Sequence, residues 1–155
     1  MKYSCILIVR SLPSQGRQSV EERSSLEERI LKLQPLFDEV VVVSHNVAEL
    51  YFIKQPIVAP YFDSRDFLNY VYTGLSFASN EWSFVCTDQC EFNTEKIKHM
   101  KGFLSKSQAV LWDENPQVGF YRRHSLAKME KLLRDKLGIE EFLKVVRVRK
   151  LMCEV

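Results

Sequence analysis

Long apolar runs are missing from this 155-residue chain. None approaches the roughly 20 residues that a bilayer-spanning helix needs. The apolar stretch within Met1–Arg10 is too short for a signal-peptide core, and no small-residue cleavage site follows it. A dominant charge is missing too. Twenty-two Lys+Arg against 20 Asp+Glu leave a net charge of +2, without the concentrated basic footprint of a general nucleic-acid binder. Cysteine is sparse: Cys5, Cys86, Cys90 and Cys153 are too scattered for a disulfide scaffold. Cys86 and Cys90 have no second pair to complete a zinc motif, and His45, His99 and His124 stand far apart. Buried free thiols are therefore expected. Repeats, low-complexity tracts and linkers are absent as well. These absences predict a soluble, cytoplasmic protein with neither a membrane nor a nucleic acid as partner.

What is present suffices for a core, with 46% hydrophobic and 27% charged residues. One domain over 1–155 is expected. Residues 3–9 are continuously apolar, as in a strand covered on both faces. A polar stretch leads to a helix, with Ser19–Glu22 or Ser25–Glu28 as capping box and Leu26, Ile30, Leu33 and Phe37 as its buried face. Val40–Val43 is a β-branched strand, 46–53 a helical turn, and 57–59 a short strand between prolines. Ser64 is placed to cap a helix with the apolar face Phe67, Val71, Leu75 and Ala78. Residues 82–86 form the next strand, and Asn93 caps a helix carrying Ile97, Met100 and Leu104. Residues 109–112 and 118–121 flank a turn at 113–116. A helix with Leu126, Met129, Leu133 and Leu137 stops at Gly138, and a short helix at 139–144 precedes a last strand at 145–148. Strand–helix alternation over the first hundred residues implies right-handed βαβ units and a mainly parallel sheet, which the hairpin makes mixed. The expected fold is α/β: a single three-layer domain with helices on both faces of the sheet.

Open parallel sheets bind ligands beyond the carboxyl ends of their strands. After the first strand, Arg10 to Ser19 run into a helix N-terminus, the geometry in which backbone N–H groups receive phosphate. Arg10 and Arg17 are candidate phosphate partners there, with Ser11 and Gly16 as further candidates in the same stretch. With one glycine and with Pro13 lacking an N–H, an ordinary polar loop is the plainer reading. The second candidate is Asp88, a carboxylate emerging from a buried strand and suited to Mg²⁺, a hard cation that leaves room for phosphates. Its plainer role is to cap the following turn. Glu91 and Asp66 are weaker carboxylate candidates. Arg122-Arg123-His124 suits an anion or a solvated surface, and Lys96, Lys98, His99 and Lys101 read as a solvated helix face. Arg147, Arg149 and Lys150 read as charges blunting a sheet edge.

Together these segments resemble the molybdenum-cofactor guanylyltransferases, within the sugar-nucleotide-type nucleotidyltransferases. The stretch from Leu26 to Ser44 is similar to that family's first helix and second strand. Asp66 to Leu75 resembles its G-P-L-x-G-I-x-x-G-L helix start, and Phe84 to Cys90 resembles the strand ending in C-D-M-P-F. Asn115 to Arg123 is similar to its late P-x-x-x-x-Y-R segment. The family's opening L-x-G-G-x-S-x-R-M-G-x-D-K has no counterpart. Ile8-Val9-Arg10-Ser11 stands in its place, Arg17 is its one relic, no residue matches its lysine, and Asp66-Phe67 replaces the G-P pair.

The resemblance implies a nucleotide-diphospho-sugar-transferase-like, Rossmann-like fold. It also implies Mg²⁺ on Asp88, catalysis by Arg17, and GTP plus the molybdopterin cofactor as substrates, with pyrophosphate released. The alternative it carries is a member with a degenerate active site that binds a ligand or a partner protein without turnover, with Tyr61, Phe62, Tyr70 and Tyr72 as its contact surface. An unrelated flavodoxin-like or receiver-type module would instead require a wholly parallel sheet and an acidic cluster near the first strand.

Overall fold

In strand β1 (Tyr3–Ile8), Cys5 and Leu7 point to one side of the sheet and Ile6 and Ile8 to the other, and all four are fully buried. A period of two with both faces apolar requires a layer on each side. The computed structural model describes residues 2–10 and 20–152 and supplies those layers. Strands β2 (Glu39–Val43) and β4 (Trp82–Thr87) flank β1 in parallel, with Ile8 opposite Val43 on one side and Thr87 on the other. Strand β3 (Ile57–Val58) adds to the outer side of β2. Beyond β4 the hairpin of β5 (Ala109–Trp112) and β6 (Asn115–Arg122) joins through an antiparallel β6, and β7 (Val148–Leu151) closes that side parallel to β5. The order is β3-β2-β1-β4-β6-β5-β7, the mixed sheet expected from the hairpin.

Helices α1 (Val20–Leu33) and α3 (Thr94–Lys101) cover one face, where Leu26, Ile30, Leu33, Ile97 and Met100 pack with Leu7, Val42 and Phe84. Helices α2 (Phe67–Phe77), α4 (Leu126–Arg134) and α5 (Ile139–Val145) cover the other, packing Val71, Leu75, Met129 and Phe142 with Ile6, Val85 and Tyr121. The crossover through α1 runs from β1 to β2, and the one through α2 runs back from β3 to β4. Right-handed connections in opposite directions place their helices on opposite faces. Burying each such aliphatic or aromatic side chain contributes roughly 1.5–3 kcal/mol, and this holds the three layers together. Gly74 lets α2 approach β1, since a Cβ there would overlap the side chain of Ile6.

Several expected boundaries are corrected. Helix α1 stops at Leu33 because Pro35, inside the 3-10 turn Gln34–Leu36, has no N–H to continue the ladder. Phe37 is therefore extended, yet it still stacks on Phe84 with ring centroids 5.7 Å apart. Ser25 lies inside α1 and caps nothing, while Ser19 lies outside the described residues. Leu104 follows the end of α3 but is buried. The hairpin turn narrows to Asp113 and Glu114, whose φ angles of 52° and 61° suit the right-handed strand twist. Lys136 (φ 61°), rather than Gly138, takes the left-handed position after α4. Val145 ends α5, so the last strand begins at Val148. Lysines expected to be merely solvated lie over rings: Lys101 over Tyr3 at 4.7 Å and Lys96 over Trp112 at 5.3 Å. Among the described residues, no helix is long and apolar enough to cross a membrane.

Candidate functional site

At the centre of the sheet two parallel strands end side by side. The N–H of Asp88 donates to the carbonyl of Ile8 (3.1 Å), and that of Val9 donates to Val43 (2.9 Å). Arg10 and Asp88 therefore leave neighbouring strands at one carboxyl edge. β1 connects to β2 on one side, while β4 is reached from the opposite direction, so the crossovers diverge between them. Such a switch point opens a crevice at the carboxyl edge.

Arg10 is exposed and leans over α2. Its guanidinium carbon lies 5.2 Å from the Tyr70 ring and 5.9 Å from the Phe67 ring, and Nη2 donates to the carbonyl of Arg65 at 3.1 Å. His45, just past β2, meets the same Tyr70 edge-on at 5.4 Å. The edge thus gathers a cation, an imidazole and a ring from three segments. Sequence spacing carried no sign of this grouping, because the register of β1 with β2 creates it. Ser11, Gly16 and Arg17 lie outside the described residues.

Asp88 is half-buried at the start of the loop after β4. The Thr87 hydroxyl closes the turn that follows, accepting from the N–H groups of Gln89 (3.2 Å) and Cys90 (3.1 Å). That closure does not need the Asp88 carboxylate. Arg29 of α1 donates to the Cys90 carbonyl at 2.6 Å, and the Cys90 thiol lies 3.4 Å from the Gln117 amide oxygen, so the loop is tied to both α1 and the hairpin. Cys5 and Cys86 are buried free thiols, and burial raises the pKa of Cys5. Burial likewise raises that of the Tyr121 phenol, which donates to the Pro116 carbonyl at 2.6 Å. Among the described residues, no group of three or more His, Cys, Asp or Glu side chains comes together. Asp88 alone fits the manner in which Mg²⁺ is held, by one or two carboxylates completed by substrate phosphates.

Asp66 has a different task. Its carboxylate, not Ser64, caps α2, with Oδ1 accepting from the Leu68 N–H (2.9 Å). The same oxygen accepts from Ile139 N–H (2.8 Å) at the start of α5. Gly138, the residue before α5, has no side chain to cap with, and a Cβ there would overlap the Asp66 carboxylate. Glu141 completes this second cap by accepting from the Gly138 N–H at 2.9 Å, a contact that holds its carboxyl below the usual range. Glu91 is exposed.

The remaining candidates separate. Arg122 pairs with Glu81 at 2.7 Å, and Arg123 donates to the carbonyls of Leu75 and Ala78 at the end of α2. His124 is exposed. Tyr61, Phe62 and Tyr72 form an aromatic cluster with centroids 5.0–6.2 Å apart. Tyr70, expected with them as an exposed contact, is buried beneath Arg10, because it falls on the core side of α2.

No model of a known protein family matches the sequence, and no curated protein does. Solved structures do. A protein of Aquifex aeolicus superposes with a TM-score of 0.79 at 18% identity, over 97% of this chain and 86% of that one. The molybdopterin-guanine dinucleotide biosynthesis protein A of Archaeoglobus fulgidus gives 0.71 at 13%, over 95% and 83%. The bifunctional IspDF of Campylobacter jejuni gives 0.70 at 11%, over 99% of this chain and 50% of that one. The fold is nucleotide-diphospho-sugar-transferase-like. At these identities the likeness is one of fold, and the chemistry has to be argued from the residues at the carboxyl edge.

Proposed function

We propose that this protein is a divergent nucleotidyltransferase, similar to the molybdopterin guanylyltransferases, that binds GTP at the β1–β4 edge. The observation carrying this reading is the emergence of Arg10 and Asp88 from adjacent parallel strands at the switch point. A cation and a carboxylate that leave adjacent strands at one edge suit a nucleotide with its metal: Arg10 would take phosphate oxygens, and Asp88 would hold Mg²⁺ together with the phosphates. Mg²⁺ so bound would neutralise charge developing at the α-phosphorus. The reaction is in-line attack by a phosphate oxygen of the molybdopterin cofactor on the α-phosphorus. An O–P bond forms as the bond to the departing pyrophosphate breaks. Arg10 would hold the phosphate chain, and of the residues that follow it in sequence, Ser11 and Gly16 are proposed as further nucleotide contacts and Arg17 as the group steadying the leaving pyrophosphate.

One observation favours a second reading, a binding module without turnover. Where the resembled family has its flexible G-P pair, this chain has Asp66, committed to two helix caps beside a position that tolerates no Cβ.

Calorimetric titration of GTP, with and without Mg²⁺, tests both, coupled to an assay of pyrophosphate release with molybdopterin cofactor. Micromolar, Mg²⁺-dependent GTP binding that Asp88→Asn removes, together with pyrophosphate release, is the expected result. Binding without release selects the module. No nucleotide binding at millimolar concentration ends the nucleotide reading and directs the search to protein partners.

A further inference from the structure

At the opposite, amino edge of the sheet, the chain forms an open cavity of about 690 Å³. Three segments meet there: the approach to β5, the start of α4, and the link from α5 into β7. Gln108 ties them, its N–H donating to the Arg147 carbonyl (2.8 Å) and its carbonyl accepting from the Arg122 N–H (3.0 Å). Lys106, Lys128, Lys131 and Arg147 line the cavity, and no carboxylate does. Cations paired with carboxylates elsewhere are Arg122, Arg134 and Lys150. These four form no such pair among the described residues.

In a chain whose charges nearly balance, four permanent cations facing one concavity are a local excess. Like charges gathered without acids repel, and a concave wall of one sign focuses the field on an incoming counter-charge. The polar lining agrees. Gln108 takes the Ser125 hydroxyl on Oε1 at 2.8 Å, which leaves its amide NH₂ as a donor. Val145, half exposed, supplies an apolar wall. The volume falls within the roughly 300–1,000 Å³ of small-molecule sites. No Phe, Tyr or Trp lines it, so the stacking platform of a single-stranded nucleic-acid site is missing.

We propose that this cavity is a binding site for a small polyanion, a compound carrying two or more linked phosphate groups, separate from the Arg10–Asp88 edge. The phosphate chain sits among Lys106, Lys128, Lys131 and Arg147, with Gln108 donating to an oxygen between them. The site stands whether or not the nucleotidyltransferase reading does, since it shares no residue with it.

The test is calorimetric titration of the full chain with inorganic tripolyphosphate at constant ionic strength, beside sulfate and a single-stranded DNA of about 20 nucleotides. Saturable binding is expected, with a component that weakens about tenfold or more in both Lys131→Glu and Arg147→Gln and that persists in Arg10→Ala, whatever the Arg10 edge itself takes up. Circular dichroism checks that each variant is folded, and two variants from different segments guard against loss of one. The proposal is overturned by absence of binding at millimolar tripolyphosphate, or by loss in Arg10→Ala with retention in Lys131→Glu. Equal affinity for sulfate overturns it as a mere counterion effect. Tighter binding of the oligonucleotide overturns it in favour of a nucleic-acid surface.

Discussion

Asp66 and Asp88 both enter the sequence reading as candidate ligand carboxylates, Asp66 the weaker of the two, and the structure gives them different surroundings. Asp66 stands between two helix starts, and a single oxygen accepts from Leu68 and Ile139. Asp88 stands at the carboxyl edge of a central strand, where the Thr87 hydroxyl closes the turn. A carboxylate becomes a structural part when backbone N–H groups without partners are aimed at it, as they are at helix N-termini. Asp88 instead follows the strand end, and the turn beside it is closed by its neighbour's hydroxyl.

Substitutions sharpen this contrast. The largest expected effect is that of Asp66→Ala, which removes the caps of α2 and α5 together. At about 1–2 kcal/mol per cap, equilibrium urea unfolding should show a loss of about 3 kcal/mol. A loss under about 1 kcal/mol would break the contrast, since Asp66 would then be no joint. Next is Gly138→Ala, where the added methyl meets the Asp66 carboxylate. A loss of about 2 kcal/mol is expected, and it should shrink in the background of Asp66→Ala, a coupling that a double-mutant cycle reads directly. Asp88→Asn should cost less stability than Asp66→Ala while removing Mg²⁺-dependent GTP binding. Unfolding as severe as that of Asp66→Ala would make Asp88 structural too.

The smallest effect concerns pH. The folded-state pKa of Glu141 is lowered from 4.5, first by its bond from the Gly138 N–H. The contribution of this contact is therefore complete above the unfolded value and fades as pH falls through the folded one. Glu141→Gln should lower stability slightly at neutral pH and flatten the stability-versus-pH curve in that acidic window, so that variant and parent converge at low pH.

The parallel half of the fold was readable from pattern. Residues 3–9 and 40–43 are continuously apolar, and only a strand with a layer on each face buries them that way. Helices with apolar residues three and four apart supplied those layers. Ends were misread where a local signal met a stronger one. Gly138 looked like a helix stop, yet its lack of a side chain serves Asp66, 72 positions away in sequence. Ser64 looked like a cap, and Asp66 took that place because its oxygen serves two helices at once. At the candidate site, Arg10 and Asp88 were visible as residues following buried strands. Tyr70 and His45 were not, since nothing in their spacing joins them to Arg10.

The sequence by itself determined the elements and the layering, because periodicity and apolar content are local properties and burial follows from them. Only the tertiary structure decided which strands are neighbours, and with that which charges share an edge. Arg10 and Asp88 leave the sheet at one edge through the register of β1 with β4, and Lys106 and Arg147 come to one cavity through the pairing of β5 with β7. Register is a long-range choice, made by packing two apolar faces at once, and no window of sequence contains both partners.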